Sequence, residues 1–139
     1  IGGDGNLKEW LTQQIEKMNL QNFVILEGHI ENIPAFMHSI DIFVLTSSWE
    51  GFGYVIAEAM LSQKPVVAFN HSSNPELIDQ GVNGFLAHSG DNDDLYRLIK
   101  KLINDRELRS TMGENARRKI IEDFDFKKQY AETKDFLLG

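Results

Sequence analysis

Glu50 and Glu58 stand eight positions apart, and their surroundings could bring both to one ligand. Glu50 sits in Ser47-Ser48-Trp49-Glu50-Gly51-Phe52-Gly53, a loop in which an acid lies beside glycines. Glycine has no Cβ, so a ligand can approach the backbone closely there. The helix-prone run Tyr54 to Ser62 follows at once. Its free amides and dipole then face the same place, a geometry suited to an anion such as a diphosphate. Glu58 falls inside that run among Val55, Ile56, Ala57, Ala59 and Met60, where an unpaired buried carboxylate would be costly. It is therefore expected to have a partner. Sugar and ribose hydroxyls are donors that carboxylates accept well, each bond contributing roughly 1.5–3 kcal/mol. Spacing alone leaves a second reading open, with Glu58 paired to a basic or amide neighbour and Glu50 on the surface.

The elements that must position this pair alternate between strand and helix. Leu7, Trp10, Leu11, Ile15 and Met18 recur at helical spacing after the turn-forming Asp4-Gly5-Asn6, and Trp10 is expected in the core. Phe23 to Leu26 is a continuous apolar run stopped by Glu27-Gly28, which suits a strand buried on both faces. A short helix is expected from Ile33 to Ser39 with Pro34 in its first turn. Ile42 to Leu45 repeats the strand pattern, and Pro65 to Phe69 is a third strand. A short helix beginning at Pro75 and a brief strand at Gly84-Phe85-Leu86 complete the alternation. Such alternation requires crossovers and predicts an α/β fold, a Rossmann-like doubly wound parallel sheet. Ligands in these folds bind outside the carboxyl ends of the strands, which selects the loops Glu27 to Asn32, Thr46 to Gly53, and Asn70 to Pro75.

Beyond residue 90 the pattern predicts helices only. Leu95, Leu98, Ile99, Leu102 and Ile103 form one stripe, Leu108, Met112, Ala116 and Ile120 a second, and Phe126, Tyr130 and Leu137 a third. Asp91, Asp105 and Asp125 are the expected caps. The chain carries a formal charge of −7, which disfavours a nucleic-acid or anionic-membrane partner. Its short basic runs, among them Arg117-Arg118-Lys119, read as solvated helix faces. It has no cysteine, and no apolar run approaches the roughly 20 residues of a membrane span, so a cytoplasmic setting is expected. His29, His38, His71 and His88 are scattered and read as surface or hydrogen-bonding residues, with no metal-ligand spacing.

Ser48-Trp49-Glu50-Gly51-Phe52-Gly53-Tyr54-Val55-Ile56-Ala57-Glu58-Ala59-Met60, followed by Lys64-Pro65-Val66-Val67-Ala68, resembles the signature of glycosyltransferase family 4, retaining enzymes of the GT-B type. Further matches run in order: Gly3-Asp4-Gly5, Leu26-Glu27-Gly28, Asp41-Ile42-Phe43-Val44, Pro75-Glu76-Leu77-Ile78, and Gly81 with Gly84-Phe85-Leu86. The resemblance covers about residues 2 to 122. Ser72-Ser73 stands where the family usually has Gly-Gly, a departure that bears on backbone approach in that loop.

The resemblance implies a donor-binding domain, the C-terminal half of a GT-B fold followed by C-terminal helices. Glu50 would contact the donor sugar, Glu58 the ribose, and the amides of Gly51, Phe52 and Gly53 the sugar and diphosphate. Gly3, His29, Ile30 and Ser47 would complete the donor site. The substrate would be a UDP-, GDP- or ADP-sugar, with no cofactor and no metal. Residues 1–139 are expected to be a partial domain, because Ile1 to Gly5 read as the end of a strand. The family's first strand and its diphosphate-gripping Arg and Lys would lie upstream, with an N-terminal domain for a saccharide or lipid-linked acceptor. Any peripheral membrane association would belong to that larger protein, and the isolated piece would not turn over. The alternatives are a non-catalytic nucleotide-sugar-binding or interaction module, and another GT-B enzyme such as an epimerase or phosphorylase.

Overall fold

The computed structural model describes residues 1–47 and 53–123. They fall into two units, Ile1–Phe36 and the residues from Met37 on.

In the first unit, helix α1 spans Lys8–Lys17. Leu7 is its N-cap and supplies no side-chain bond, while the Asp4 carboxylate accepts from Lys8 Nζ at 2.9 Å. Its carboxyl end is closed by Asn19 in the left-handed region, φ +56, with Asn19 N donating to Glu16 O and Leu20 N to Ile15 O. That pair of bonds satisfies carbonyls the helix would otherwise leave open, and Asn tolerates the conformation better than most residues. No residue of α1 is buried, and Trp10 is 54% exposed, which corrects its expected place in the core. Helical periodicity locates an apolar face, but covering that face takes a partner surface. One ten-residue helix and short extended pieces offer little of it.

The run Phe23 to Leu26 is likewise not a strand buried on both faces, for Phe23 is 81% and Ile25 65% exposed. Phe23 N and Val24 N donate to Leu20 O, and the far end of the run meets the first residues of the chain. The amino group of Ile1 donates to Ile25 O, Glu27 N to Ile1 O, and Gly3 N to Gly28 O at 2.7 Å. A parallel bridge joins Gly2 to Gly28. Helix α2, Ile33–Ser39, has the expected bounds and runs across the boundary between the units. Asn32 Oδ1 caps it by accepting from Ala35 N at 3.0 Å.

The second unit holds strands β1 (Phe43–Leu45), β2 (Val66–Phe69) and β3 (Gly84–Ala87) and helices α3 (Tyr54–Leu61), α4 (Asn74–Leu77), α5 (Asn92–Asn104) and α6 (Arg106–Asp123). The strands form a parallel sheet in the order β1-β2-β3, with Phe43 beside Val66 and Val66 beside Gly84. Every residue of β2 is buried, as a central strand's must be. Val67, Phe69, Phe85 and Ala87 pack with Leu95, Leu98 and Leu102 of α5 and Met112 of α6. Val66 and Ala68, turned to the other face by strand alternation, are also fully buried. On α3 the buried residues are Ile56, Ala59 and Met60, and the helix packs on β1, β2 and α6. Ile103, counted in the α5 stripe from its spacing, is instead 61% exposed.

Helix α6 ties the unit together with polar side chains. Arg109 donates to Leu102 O at 2.6 Å and Ile103 O at 2.9 Å, satisfying carbonyls at the end of α5. Arg117 donates to Leu61 O at the end of α3, and Asn115 Nδ2 to Val82 O. Lys119, 16% exposed, pairs with Asp79 at 2.8 Å. Within Arg117-Arg118-Lys119, two of the three side chains thus serve neighbouring elements, so the run is more than a solvated face. The third expected stripe, from Phe126 to Leu137, and its cap Asp125 lie outside the described residues.

Candidate functional site

Because the strands are parallel, their carboxyl ends share one edge of the sheet, and three loops leave from it. Ser47, half-buried, lies just past β1. Asn70 begins the loop after β2, and its N–H donates to Ala87 O at 2.7 Å, binding that loop to the end of β3. His88 follows β3 directly.

Gly53 is the N-cap of α3 with φ +73 and ψ 35, in the left-handed region where a Cβ is penalised. Its carbonyl accepts from Ile56 N at 2.9 Å and Ala57 N at 3.2 Å and so opens the helix. A Cβ at Gly53 would come to 3.2 Å from Leu77 Cδ1 and 3.6 Å from Ser73 Oγ. The glycine is therefore required by backbone shape and also by close packing, and the loop after β2 touches the start of α3. Ser72 holds φ +53. A serine there adopts the backbone that a glycine would adopt more cheaply, so the loop keeps a glycine-like path without the glycine.

Glu58 is exposed, which corrects the expectation that it needs a partner among apolar neighbours. The reason is angular: α3 buries Ile56, Ala59 and Met60, and at 100° per residue Glu58 points to the opposite side. Its carboxylate stays hydrated and available. Glu50, Gly51 and Phe52 lie outside the described residues, as do Ser48 and Trp49.

Gly3, His29 and Ile30 belong to the first unit. Gly3 is exposed with φ +127, and its N–H bond to Gly28 O brings the turn at Gly3 beside the loop that carries His29 and Ile30. His29 is exposed and Ile30 half-buried. A Cβ on Gly2 would reach 3.0 Å from Ile30 Cγ1, so this approach too depends on a glycine. Lys8, not singled out from the sequence, belongs to the same place. Its bond to Asp4, reinforced by its charge, holds that carboxyl below the usual range, and Nζ lies 3.7 Å from where a Cβ of Gly28 would be. The i,i+4 spacing of Asp4 and Lys8 was the signal for it.

At the end of β3, Asp91 caps α5 as expected, with Oδ1 accepting from the N–H groups of Asp93 and Asp94 at 3.0 Å. Asp94 does something the sequence did not disclose. Only 7% exposed, it accepts from His88 N at 2.9 Å and meets His88 Nδ1 at 2.6 Å, with Arg97 on its other oxygen. The His88 backbone N–H first, then its ring and Arg97, draw the carboxyl down to about 2. His71 departs from the reading of the histidines as surface or hydrogen-bonding groups: both of its ring nitrogens are buried without a partner.

Comparison with known proteins is consistent with this layout. The family described as Glycosyl transferases group 1 matches residues 1–119. The chain is 34% identical over 125 residues to a poly(ribitol-phosphate) alpha-N-acetylglucosaminyltransferase of Staphylococcus aureus, covering 89% of the chain and 25% of that protein. It is 32% identical over 139 residues to the UDP-Gal:alpha-D-GlcNAc-diphosphoundecaprenol alpha-1,3-galactosyltransferase of Escherichia coli, covering 99% of the chain and 36% of the relative. Among solved structures, a variant of S. aureus TarM in complex with Fondaparinux, alpha-GlcNAc-glycerol and UDP aligns with TM-score 0.91 at 31% identity, over 97% of this chain and 28% of that one. Anabaena HepE in complex with UDP-glucose aligns with TM-score 0.85 at 37% identity, over 96% and 39%. The chain thus spans a quarter to a little over a third of the length of these curated relatives.

Proposed function

The chain belongs to the group 1 glycosyl transferases of the GT-B type, and from that we propose that it binds the nucleoside-diphosphate sugar for a transferase acting with retention at the anomeric carbon. The observation that carries the reading is the start of α3. Gly53, left-handed and closely packed, opens that helix at the carboxyl edge of a parallel sheet, directly after Glu50-Gly51-Phe52 in the sequence. Helix amides there meet the charge of a diphosphate without calling for a metal or cofactor. Glu50 is assigned to the sugar hydroxyls and Glu58, which is exposed on α3, to the ribose. The amides of Gly51, Phe52 and Gly53 are assigned to the sugar and diphosphate and Ser47 to the donor, while Gly3, His29 and Ile30 are assigned to the nucleotide.

The acceptor, a saccharide or a lipid-linked sugar, and the transfer of a hexosyl group are proposals of the same kind. They are supported by relatives whose own names include such acceptors and sugars. No helix among the described residues is long and apolar enough to cross a membrane. A cytoplasmic setting is proposed on the strength of the cysteine-free sequence.

The test uses the full-length protein that carries this chain, assayed with UDP-, GDP- and ADP-sugars. Glu50→Gln removes a charge-assisted bond to the reacting sugar and is expected to lower the transfer rate by about tenfold or more. A rate within about threefold of the unmodified enzyme removes Glu50 from its assigned role. Glu58→Gln should act mainly on the KM for donor, since the ribose is remote from the bond that breaks.

A further inference from the structure

The loop leaving β2 carries polar atoms in an uncommon state. Both ring nitrogens of His71 and Oδ1 of the fully buried Asn74 are closed off from solvent with no hydrogen-bond partner. A neutral imidazole presents one donor and one acceptor whichever nitrogen holds the proton, so neither tautomer satisfies this ring. Asn74 is half satisfied, for its Nδ2 donates to Phe69 O at 2.9 Å and fixes the loop to the end of β2. Between the two residues, Ser72 is held at φ +53, which disfavours a residue with a Cβ. Native proteins bond nearly all of their buried polar groups, and the exceptions concentrate where function needs a group kept unspent.

The location gives that state a meaning. The ring of His71 rests against Phe69, the last residue of β2, with centroids 6.3 Å apart and planes 29° from parallel. Two residues on, Ser73 Oγ lies 3.6 Å from the position of a Cβ on Gly53, so the loop touches the residue that opens α3. An imidazole that gives up no hydrogen bond by moving is therefore carried by the loop that touches, two residues on at Ser73, the helix end assigned to a diphosphate, whose oxygens are strong acceptors.

We propose that His71 is a donor-binding residue held in a sequestered state: when a nucleoside diphosphate occupies the start of α3, the imidazole leaves Phe69 and donates a hydrogen bond to a diphosphate oxygen. The inference rests on the assignment of the start of α3 to the diphosphate. A ligand shifts such an equilibrium only by its differential affinity, and the new bond supplies it because no existing bond is broken. The ring's contact with Phe69 is what the ligand must outweigh.

The full-length protein is titrated calorimetrically with UDP, GDP and ADP, and the nucleotide that binds is carried forward. His71→Phe keeps a ring against Phe69 and removes both nitrogens, so it is expected to raise Tm without nucleotide and to weaken nucleotide binding by about tenfold. His71→Gln restores an N–H and should return affinity to within about threefold of the unmodified protein. In the unmodified protein, the ring 15N resonances of His71 should shift at saturating nucleotide, a measurement independent of how the variants fold. Unchanged affinity in His71→Phe, or unmoved His71 resonances, overturns the proposal and leaves the ring a packing group or the holder of a buried water only. Failure of the unmodified protein to bind any of the three nucleotides instead removes the donor reading on which the proposal stands.

Discussion

The Asp94 carboxylate accepts from the His88 backbone, the His88 ring and Arg97, and its low proton affinity records those bonds. A carboxyl whose folded value lies below its unfolded one contributes stability above the unfolded value and loses it on acidification. With 3.8 as the ordinary value and about 2 in the fold, the contribution is complete above 3.8 and lost as pH falls through about 2. Asp94→Asn is therefore expected to lower Tm at pH 7, and the gap to the unmodified protein should close between those two values. A gap that stays constant down to pH 2 in thermal melts would contradict this. Asp94 was legible in the sequence only as one of several acids before a helix. Its engagement depends on where β3 delivers His88, six residues upstream, which no local rule fixes. Glu58 teaches the converse. Its apolar neighbours in sequence suggested burial, whereas the helix turns it away from them in space.

At the level of elements, α3 and α6 meet through a glycine. A Cβ on Gly113 would overlap the carbonyl oxygen of Gln63, a backbone atom that cannot swing aside. Gln63 itself is left-handed, φ +57, and ends α3 with Gln63 N bonded to Met60 O and Lys64 N to Ala59 O. In an isolated helix, Gly→Ala helps by up to about 1 kcal/mol. Overpacking against fixed backbone outweighs that gain, so Gly113→Ala is expected to destabilise by about 2 kcal/mol or more in denaturant titration. Gly5, which has nothing within 4 Å of a Cβ, is the control. Gly5→Ala should change stability by no more than about 0.5 kcal/mol. Parity of the two variants would show that the α3–α6 approach is looser than described. The bounds of α2 were readable from the sequence, those of α3, β2 and β3 to within one residue at one end, and the start of α5 from its cap at Asp91. The closeness of α3 and α6 was not, because Gln63 and Gly113 are fifty residues apart.

Over the whole molecule, burial is uneven. Every residue of β2 is buried and the core around Val67, Phe85 and Leu102 continues into α5 and α6. In the first unit, α1 buries none of its residues. Helices of this length owe their stability mainly to packing, so α1 should open far more readily than the central strand. Hydrogen exchange of the protein is expected to show protection of the Val66–Phe69 amides well above that of the Lys8–Lys17 amides. Equal protection would mean that α1 has a covering surface beyond its own unit. The misreadings of Trp10 and Phe23 to Leu26 share this origin. An apolar pattern reports which face seeks cover, and the neighbours supply it or do not.

The amino-acid sequence by itself determined the alternation of strand and helix, the parallel α/β class, the caps at Asp91 and Asp105 and the family, because these depend on residues close in the chain or on an ordered motif. Only the tertiary structure decided that Glu58 faces solvent, that Arg117 reaches the end of α3, that Asp94 is held by His88 and Arg97, and that the nitrogens of His71 are buried unbonded. Each of these is set by which surfaces meet when the chain packs. Burial and partnership belong to pairs of elements, and one element's residue pattern carries half of that information.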